Sequence, residues 1–512
     1  MKNYNNNNKT LSSHSSIPEF SVQASSSTPP LLQTLSSHSS TPEFNRTTTP
    51  PFGGSIVLQT RKKNILSKES KSLRKRHKSP KINGHILERK ESWISLHIYG
   101  EPFERGFAHG SLLYKEIEKN QKRMIFTIQH IFETTIPNYM KMCKKKIFPV
   151  VKKKFPEFYE EIRGIVAGCK SRGLNISIYD IIAWNSTESL HSYYQKKTSR
   201  CSAFIATGNA TEKGGIVMAH NTHCNFVCAQ SFFIVLYITP SEGSPFIMQT
   251  AAGMISSTTD WFLCSTGIIG CETTISSVNF DPIFGSPYFC RIRKAMQYGK
   301  TLDDYVDIML KNNAGDYASS WQFGDINTGE IMLLELGLKK HSMERTRDGV
   351  FYGMNSAMDF ALRSEETTEK THFDIKTSSG SRNARFNQLL NNTYYGKINT
   401  ENAKKILSDH YDSFLHKEKM GSRNICKHTE MDPEKGMRGS YYPFGCTDGK
   451  VVDSDLAKNL FFYGRFGSSC GRVFNAKEHI RKHPEYDYMT GILEDFPKTD
   501  WTLLSPGSPR IK

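Results

Sequence analysis

The stretch "TSRCSAFIATGNATEKGGIVMAHNTH", Thr198 to His223, places two apolar runs on either side of a turn rich in Gly and Asn. "CSAFIAT" and "IVMAHN" read as strands and "GNATEKGG" as their connection, a β-hairpin. Pairing Thr207 with Ile216 and extending that register sets Cys201 opposite Thr222. His220 then lies on the same face of the sheet as Cys201, roughly 7 to 8 Å away along the diagonal. Spacing leaves three readings of Cys201. A buried cysteine is a small hydrophobe. His220, His223, Cys224 and Cys228 are zinc-type ligands, but H-x2-H-C-x3-C on one strand and its exit matches no usual structural zinc pattern. A nucleophile requires a thiolate and a base near it.

The elements on either side set the fold class. "SWISLHIYG" alternates as a half-buried strand, with Ile94, Leu96 and Ile98 inward. Leu113, Ile117, Met124, Ile128 and Ile131 recur at helical spacing and predict one long amphipathic helix. "FPEFYEEIRGIVAGCKSRGLN" predicts a second, with Pro156 in its first turn, Glu157, Glu160 and Glu161 at its positive end, and Phe158, Ile162, Ile165 and Cys169 buried. Downstream, "SFFIVLYIT" and "SPFIMQTAA" are strands, and "WQFGDINTGEIMLLELG" is a hairpin turning at Asn327, Thr328 and Gly329. "GVFYGMN" is a further strand, and "SRNARFNQLLNN" and "TENAKKILSDHY" are helices. Helices, then hairpin-connected strands, then helices describe an α+β domain in which antiparallel sheets are covered by helices.

Composition limits the function classes. The chain has 512 residues, 37% of them hydrophobic, enough for a sizeable core. Its longest strongly apolar run, near Ser231 to Ile238, is far short of the roughly 20 residues of a membrane helix, so no transmembrane span is expected. The net charge of +17 is uneven: residues 1–90 hold 15 Lys/Arg against 4 Asp/Glu, which leaves the remainder only mildly basic. Eleven cysteines without a CxxC pair read as mostly reduced thiols rather than a disulfide framework.

Residues 1–90 form a repetitive, basic extension. "TLSSHSSIPEF" at Thr10 returns as "TLSSHSSTPEF" at Thr34, and "RKKNILSKESKSLRKRHKSPK" adds a basic cluster. Such sequence buries too little apolar surface to order itself, and disorder is expected, with the basic tail available to an anionic surface. "MKNYNNNNKT" has no apolar signal-peptide core, which favours the cytoplasm, with nonclassical export as the alternative.

Beyond the hairpin, "TTDWFLCSTGIIGCETTI", "GSPYFCRIRKAMQYG", "YGMNSAMDF" and "DGKVVDSDLAKNLFFYGRFGSSCG" follow in order. With "RCSAFIATG" and "IVMAHNTH", this ordered set resembles the phospholipase B-like and isopenicillin N acyltransferase-like branches of the N-terminal nucleophile (Ntn) cysteine hydrolases, from about Trp93 to about Trp501. The resemblance implies a four-layer αββα sandwich and a proenzyme that cuts itself between Arg200 and Cys201. It divides the domain 91–512 into a pro-segment, 91–200, and a catalytic chain, 201–512. It also implies acyl transfer from an amide or ester of a small-molecule or lipid acyl substrate through a Cys201 thioester, with no cofactor and no metal. Phospholipase B-like lipid hydrolysis is the alternative within the class, and an inactive binding module with a basic tail is the alternative outside it.

Residue by residue, the resemblance implies catalytic roles for Cys201, His220, Asn355 as an oxyanion donor, and Arg382. Asn221, Thr273, Asp260 and Arg385 are oxyanion or substrate candidates. Each has a plainer reading as well: a turn-capping Asn355, a Thr273 hydroxyl bonded to backbone, a surface-bridged Arg385. Arg465 and Cys470 are read as closing the fold.

Overall fold

The computed structural model describes residues 81–194, 201–434 and 438–507. Most of the extension, residues 1–80, and Arg200 of the expected cleavage site lie outside the described residues.

Two sheets carry the fold. The larger has nine strands in the order β1 (Gly84–Lys90), β2 (Trp93–Gly100), β5 (Ile234–Pro240), β6 (Phe246–Thr250), β7 (Trp261–Cys264), β8 (Ile268–Thr274), β9 (Ser319–Asp325), β10 (Glu330–Leu336) and β11 (His341–Thr346). The smaller has six, in the order β12 (Gly349–Gly353), β3 (Cys201–Gly208), β4 (Gly214–Asn225), β15 (Phe444–Asp453), β16 (Phe462–Phe466) and β17 (Thr502–Leu504). A two-stranded ribbon pairs β13 (Tyr411–Asp412) with β14 (Lys417–Glu418). The architecture is therefore mixed α and β with largely antiparallel sheets.

Side-chain alternation on β3 and β4 divides the core. Ala203, Ile205, Ile216 and Met218 join the large cluster shared with the nine-stranded sheet. Gly324 of β9 is approached there by Ile205 and Ile216, whose Cδ1 atoms would sit 3.0 and 3.1 Å from an added Cβ. On the other face, Phe204, Ala206, Val217 and Ala219 pack with Phe386, Leu389, Ile406 and Leu407, mostly from the helices Ser378–Gln388 and Thr400–Leu407. The outer face of the large sheet stacks Phe262 and Phe323 on Tyr305 of the helix Leu302–Leu310.

Three expectations change. Residues 81–90, expected within the disordered extension, include Gly84–Lys90, an edge strand on β2. Its exposed Glu88, Arg89 and Lys90 and a register shift between Ile86 and Glu88 hide the alternation, as edge strands commonly do. The long helix expected through Ile131 is instead Pro102–Leu112 and Tyr114–Phe126, divided at Leu113 and followed by a π-turn. Finally, β2 and β5 pair in parallel, because the intervening helices and the β3–β4 hairpin return the chain to the same end of the sheet.

The helix Pro102–Leu112 and the helix Pro156–Ser171 touch backbone to backbone. A Cβ on Gly106, Gly110, Gly164 or Gly168 would lie 1.9 to 2.3 Å from a carbonyl oxygen of the partner helix. Beside that contact Glu161 is held by two arginines, Arg105 Nε at 2.7 Å and Arg293 Nη2 at 3.0 Å, all three fully buried. Burial alone would raise the Glu161 carboxyl, but Arg105 and Arg293 hold it below the usual range.

Candidate active site

Cys201 is the first residue of β3, 3% exposed, and pairs with Thr222, the partner that the assumed hairpin register sets opposite it. The register holds from Cys201 to Ala206; the irregularity falls between Ala206 and Gly208, at the turn end, where it does not disturb the cysteine. Burial pushes the Cys201 thiol well up, and the Glu272 and Asp260 charges add to this. The His223 backbone N–H and Lys450 act in the opposite sense.

His220 sits opposite Ala203 on the face Cys201 shares. Its Nε2 donates to the Glu272 carbonyl at 2.9 Å, while its buried Nδ1 has no hydrogen-bond partner among the described residues. Burial, reinforced by Lys450, holds the ring neutral, so Nδ1 carries a lone pair.

Arg382, also fully buried, ties the cysteine strand to the β12 exit. Its Nη1 donates to the Cys201 carbonyl at 2.6 Å and to Ser202 Oγ at 3.1 Å; its Nη2 donates to the Met354 carbonyl at 2.7 Å and to Asn355 Oδ1 at 2.9 Å. These partners are neutral oxygens, and burial pulls the guanidinium down to about 9, still charged at neutral pH. Asn355 occupies a left-handed backbone position, φ 75°, and its Nδ2 donates to the Thr274 carbonyl at 2.9 Å. A primary amide has a second N–H on that nitrogen, so the oxygen can be anchored while a donor serves elsewhere.

Thr273 belongs to the same neighbourhood. Its buried Oγ1 makes no hydrogen bond among the described residues and lies where a Cβ on Gly353, the partner of Ala203, would meet it at 2.1 Å. The backbone-bonded hydroxyl is thus not what the structure contains. Asp260, φ 52°, shares a tyrosine-bridged cluster with Glu272. Tyr317 Oη is 2.7 Å from Asp260 Oδ2 and 3.1 Å from Glu272 Oε2, and Tyr288 Oη also donates to Asp260.

Two candidates lie away from the cysteine. Asn221, adjacent to His220 on a strand, points to the opposite face, where Nδ2 donates to the Leu407 and Ile425 carbonyls at 2.7 and 3.2 Å. Arg385 pairs with Asp409 at 2.6 Å and covers Tyr411, one helical turn from Arg382 but turned outward. The zinc reading of the hairpin also fails on geometry. His220 and His223 occupy opposite faces, His223 Nε2 donating to the Ile425 carbonyl at 3.0 Å, and Cys228 Sγ lies 3.0 Å from Thr127 Oγ1.

The structure adds residues that the sequence did not single out. Lys450 of β15, opposite His220, is fully buried and donates to Thr222 Oγ1 at 2.7 Å and Asp448 Oδ1 at 2.6 Å. Lys427 is buried too, its ammonium pulled well down by burial and by Arg382. Lys450 acts to lower the Cys201 thiol, against the larger opposing effect of burial, and Arg382 and Lys427 also interact with it electrostatically. The signal was a charged pair, "DGK", inside an otherwise apolar strand.

The buried neutral histidines predict acid instability. Burial pulls His109 down to about 4 and holds His220 and His223 well below 6.5. Below about pH 6.5 the unfolded chain binds protons that the folded chain refuses, so stability is lost as pH falls toward 4. Each histidine contributes about 1.4 kcal/mol per pH unit in that window. Urea midpoints should drop steeply between pH 7 and 5; a constant midpoint would contradict the neutral assignment.

No family model matches the chain. An uncharacterized protein from Archaeoglobus fulgidus is 24% identical over 248 residues, which are 45% of this chain and 41% of the relative. The match thus spans about two fifths of that relative's length. Among solved structures, a cysteine-to-alanine variant of conjugated bile acid hydrolase from Clostridium perfringens is similar at TM-score 0.33 and 9% identity, covering 52% of this chain and 89% of its own. An arginine-to-leucine variant of the same hydrolase is similar at TM-score 0.26 and 9% identity, covering 62% and 94%. At those scores the likeness carries no inference about this chain's chemistry.

Proposed function

We propose that this chain is an autoprocessed cysteine amidohydrolase or acyltransferase of the Ntn kind, with the αββα layering of that class and Cys201 as nucleophile. The observation that carries the reading is Arg382: a fully buried guanidinium donates to the main chain of Cys201 and to the side chain of Asn355. Burying a cation against neutral oxygens is unfavourable for stability, which supports a positioning role over a packing one.

In the precursor the raised thiol is protonated and quiet. Self-cleavage begins when Sγ attacks the Arg200 carbonyl carbon. The peptide C–N bond breaks, the Cys201 nitrogen takes up a proton, and a thioester remains. Water then hydrolyses that thioester, leaving a carboxylate on Arg200 and a free α-amine on Cys201. A free α-amine titrates near 7.7 to 8.0 and a thiol near 8.5, so one residue then holds both base and nucleophile. The thiolate attacks a substrate amide or ester carbonyl, the oxyanion is met by the second Nδ2 proton of Asn355, and water or an amine releases the acyl group. His220 Nδ1, on the cysteine's face, and the Thr273 hydroxyl, from the facing sheet, orient the thiol and the substrate.

Intact-mass and N-terminal analysis tests this directly. The wild type should yield a fragment beginning at Cys201, and Cys201→Ala should stay whole. A wild type that remains uncut and inactive toward amide and ester substrates would sink the proposal.

A further inference from the structure

Four side chains from three separate segments converge near the β4 and β15 strands. His410 precedes the small ribbon, Cys426 and His428 lie in the loop before β15, and Cys470 follows β16. One ligand atom from each lies within 4.8 Å of all the others. His428 Nε2 is 3.4 Å from Cys426 Sγ and 3.5 Å from Cys470 Sγ. Zinc bonds of about 2.3 Å to sulfur and 2.0 to 2.1 Å to nitrogen, at tetrahedral angles, put such atoms about 3.6 Å apart.

We propose that His410, Cys426, His428 and Cys470 form a tetrahedral structural zinc site. Three further observations point to a metal. His428 Nδ1 is 2.8 Å from Glu430 Oε1, the carboxylate support that fixes a ligating imidazole with Nε2 free for the ion. His410 Nε2 is buried without a hydrogen-bond partner among the described residues. Ser469 Oγ and Ser468 Oγ each lie 3.3 Å from a candidate sulfur, Cys426 Sγ and Cys470 Sγ, which makes the surroundings of both polar.

Binding replaces two thiol protons with one divalent ion, so two protons leave and the site, with two thiolates and two neutral imidazoles, carries no net charge. That suits its burial. The sequence concealed the site because its ligands are spread over three segments, unlike the compact pairs of zinc fingers. The ion would pin the loop Cys426–His428 and, just before it, Ile425, whose carbonyl accepts from Asn221 and His223.

The test is metal content of the full-length protein, equilibrated with zinc and desalted. About one zinc per chain is expected, and Co(II) in its place should give thiolate-to-metal charge transfer and the intense visible bands of a tetrahedral site. Cys470→Ser and His410→Ala should lose zinc, and Glu430→Gln, which keeps all four ligands and tests the site if those variants misfold, should bind roughly 10-fold more weakly. Cys446→Ser, beside the cluster but outside it, should keep its zinc. Folded wild type that takes up no zinc, a Cys426–Cys470 disulfide in native peptide mapping, or ligand variants that bind as tightly as wild type would each overturn the assignment. None of these readouts depends on acyl transfer.

Discussion

Arg382→Met should leave the chain folded and uncut. Met fills a similar volume and removes a cation whose burial is unfavourable, so the lost hydrogen bonds, about 1 to 3 kcal/mol for each acceptor left unpaired, are partly offset. Self-cleavage, in contrast, should slow by about 100-fold or more, because Asn355 loses the partner of its Oδ1 and the Cys201 carbonyl loses its tether. Arg382→Lys should behave likewise, since one ammonium cannot reproduce the planar fork that spans both. Time-resolved mass analysis beside urea denaturation separates the two effects. Wild-type processing in Arg382→Met would reduce the residue to packing.

Glu161→Ala should strike stability hardest. It leaves Arg105 and Arg293 in a dry interior without their shared carboxylate, and breaking a buried pair on one side costs about 3 to 5 kcal/mol. The expected result is a large drop in urea midpoint or failure to accumulate folded protein. Replacing the triad together by Arg105→Met, Glu161→Leu and Arg293→Met should recover much of the loss, as the uncompensated charges go with it. A Glu161→Ala midpoint close to wild type would mean that water reaches this triad.

The β3–β4 register followed from an assumed bulge-free pairing of Thr207 with Ile216; the hairpin does carry an irregularity, but it falls at the turn end and leaves Cys201 opposite Thr222. Strand alternation implied that Asn221 and His220 point apart, which a motif reading, taking the two as a pair, passes over. Edge strand β1 was not legible, since an edge can be mostly charged and still pair through its backbone. Lys450 and Lys427 could not be assigned from sequence either: their nearness to Cys201 depends on how β15 and its preceding loop dock, a long-range matter that no local period records. The Asn355 turn and Arg382 stood out only through ordered motifs, and their hydrogen bonds to one another came from the structure.

The order of strands in the larger sheet has a consequence for the two sides of the bond before Cys201. Strand β2, from the first side, is hydrogen-bonded along its length to β5, from the second. Glu161 and Arg293 join the same two sides again across the interior. A single cut there would not release a fragment. The two polypeptides would remain interlocked and elute as one particle, separating only under denaturant, and neither would regain its shape alone, so a processed molecule that once unfolds has no simple way back.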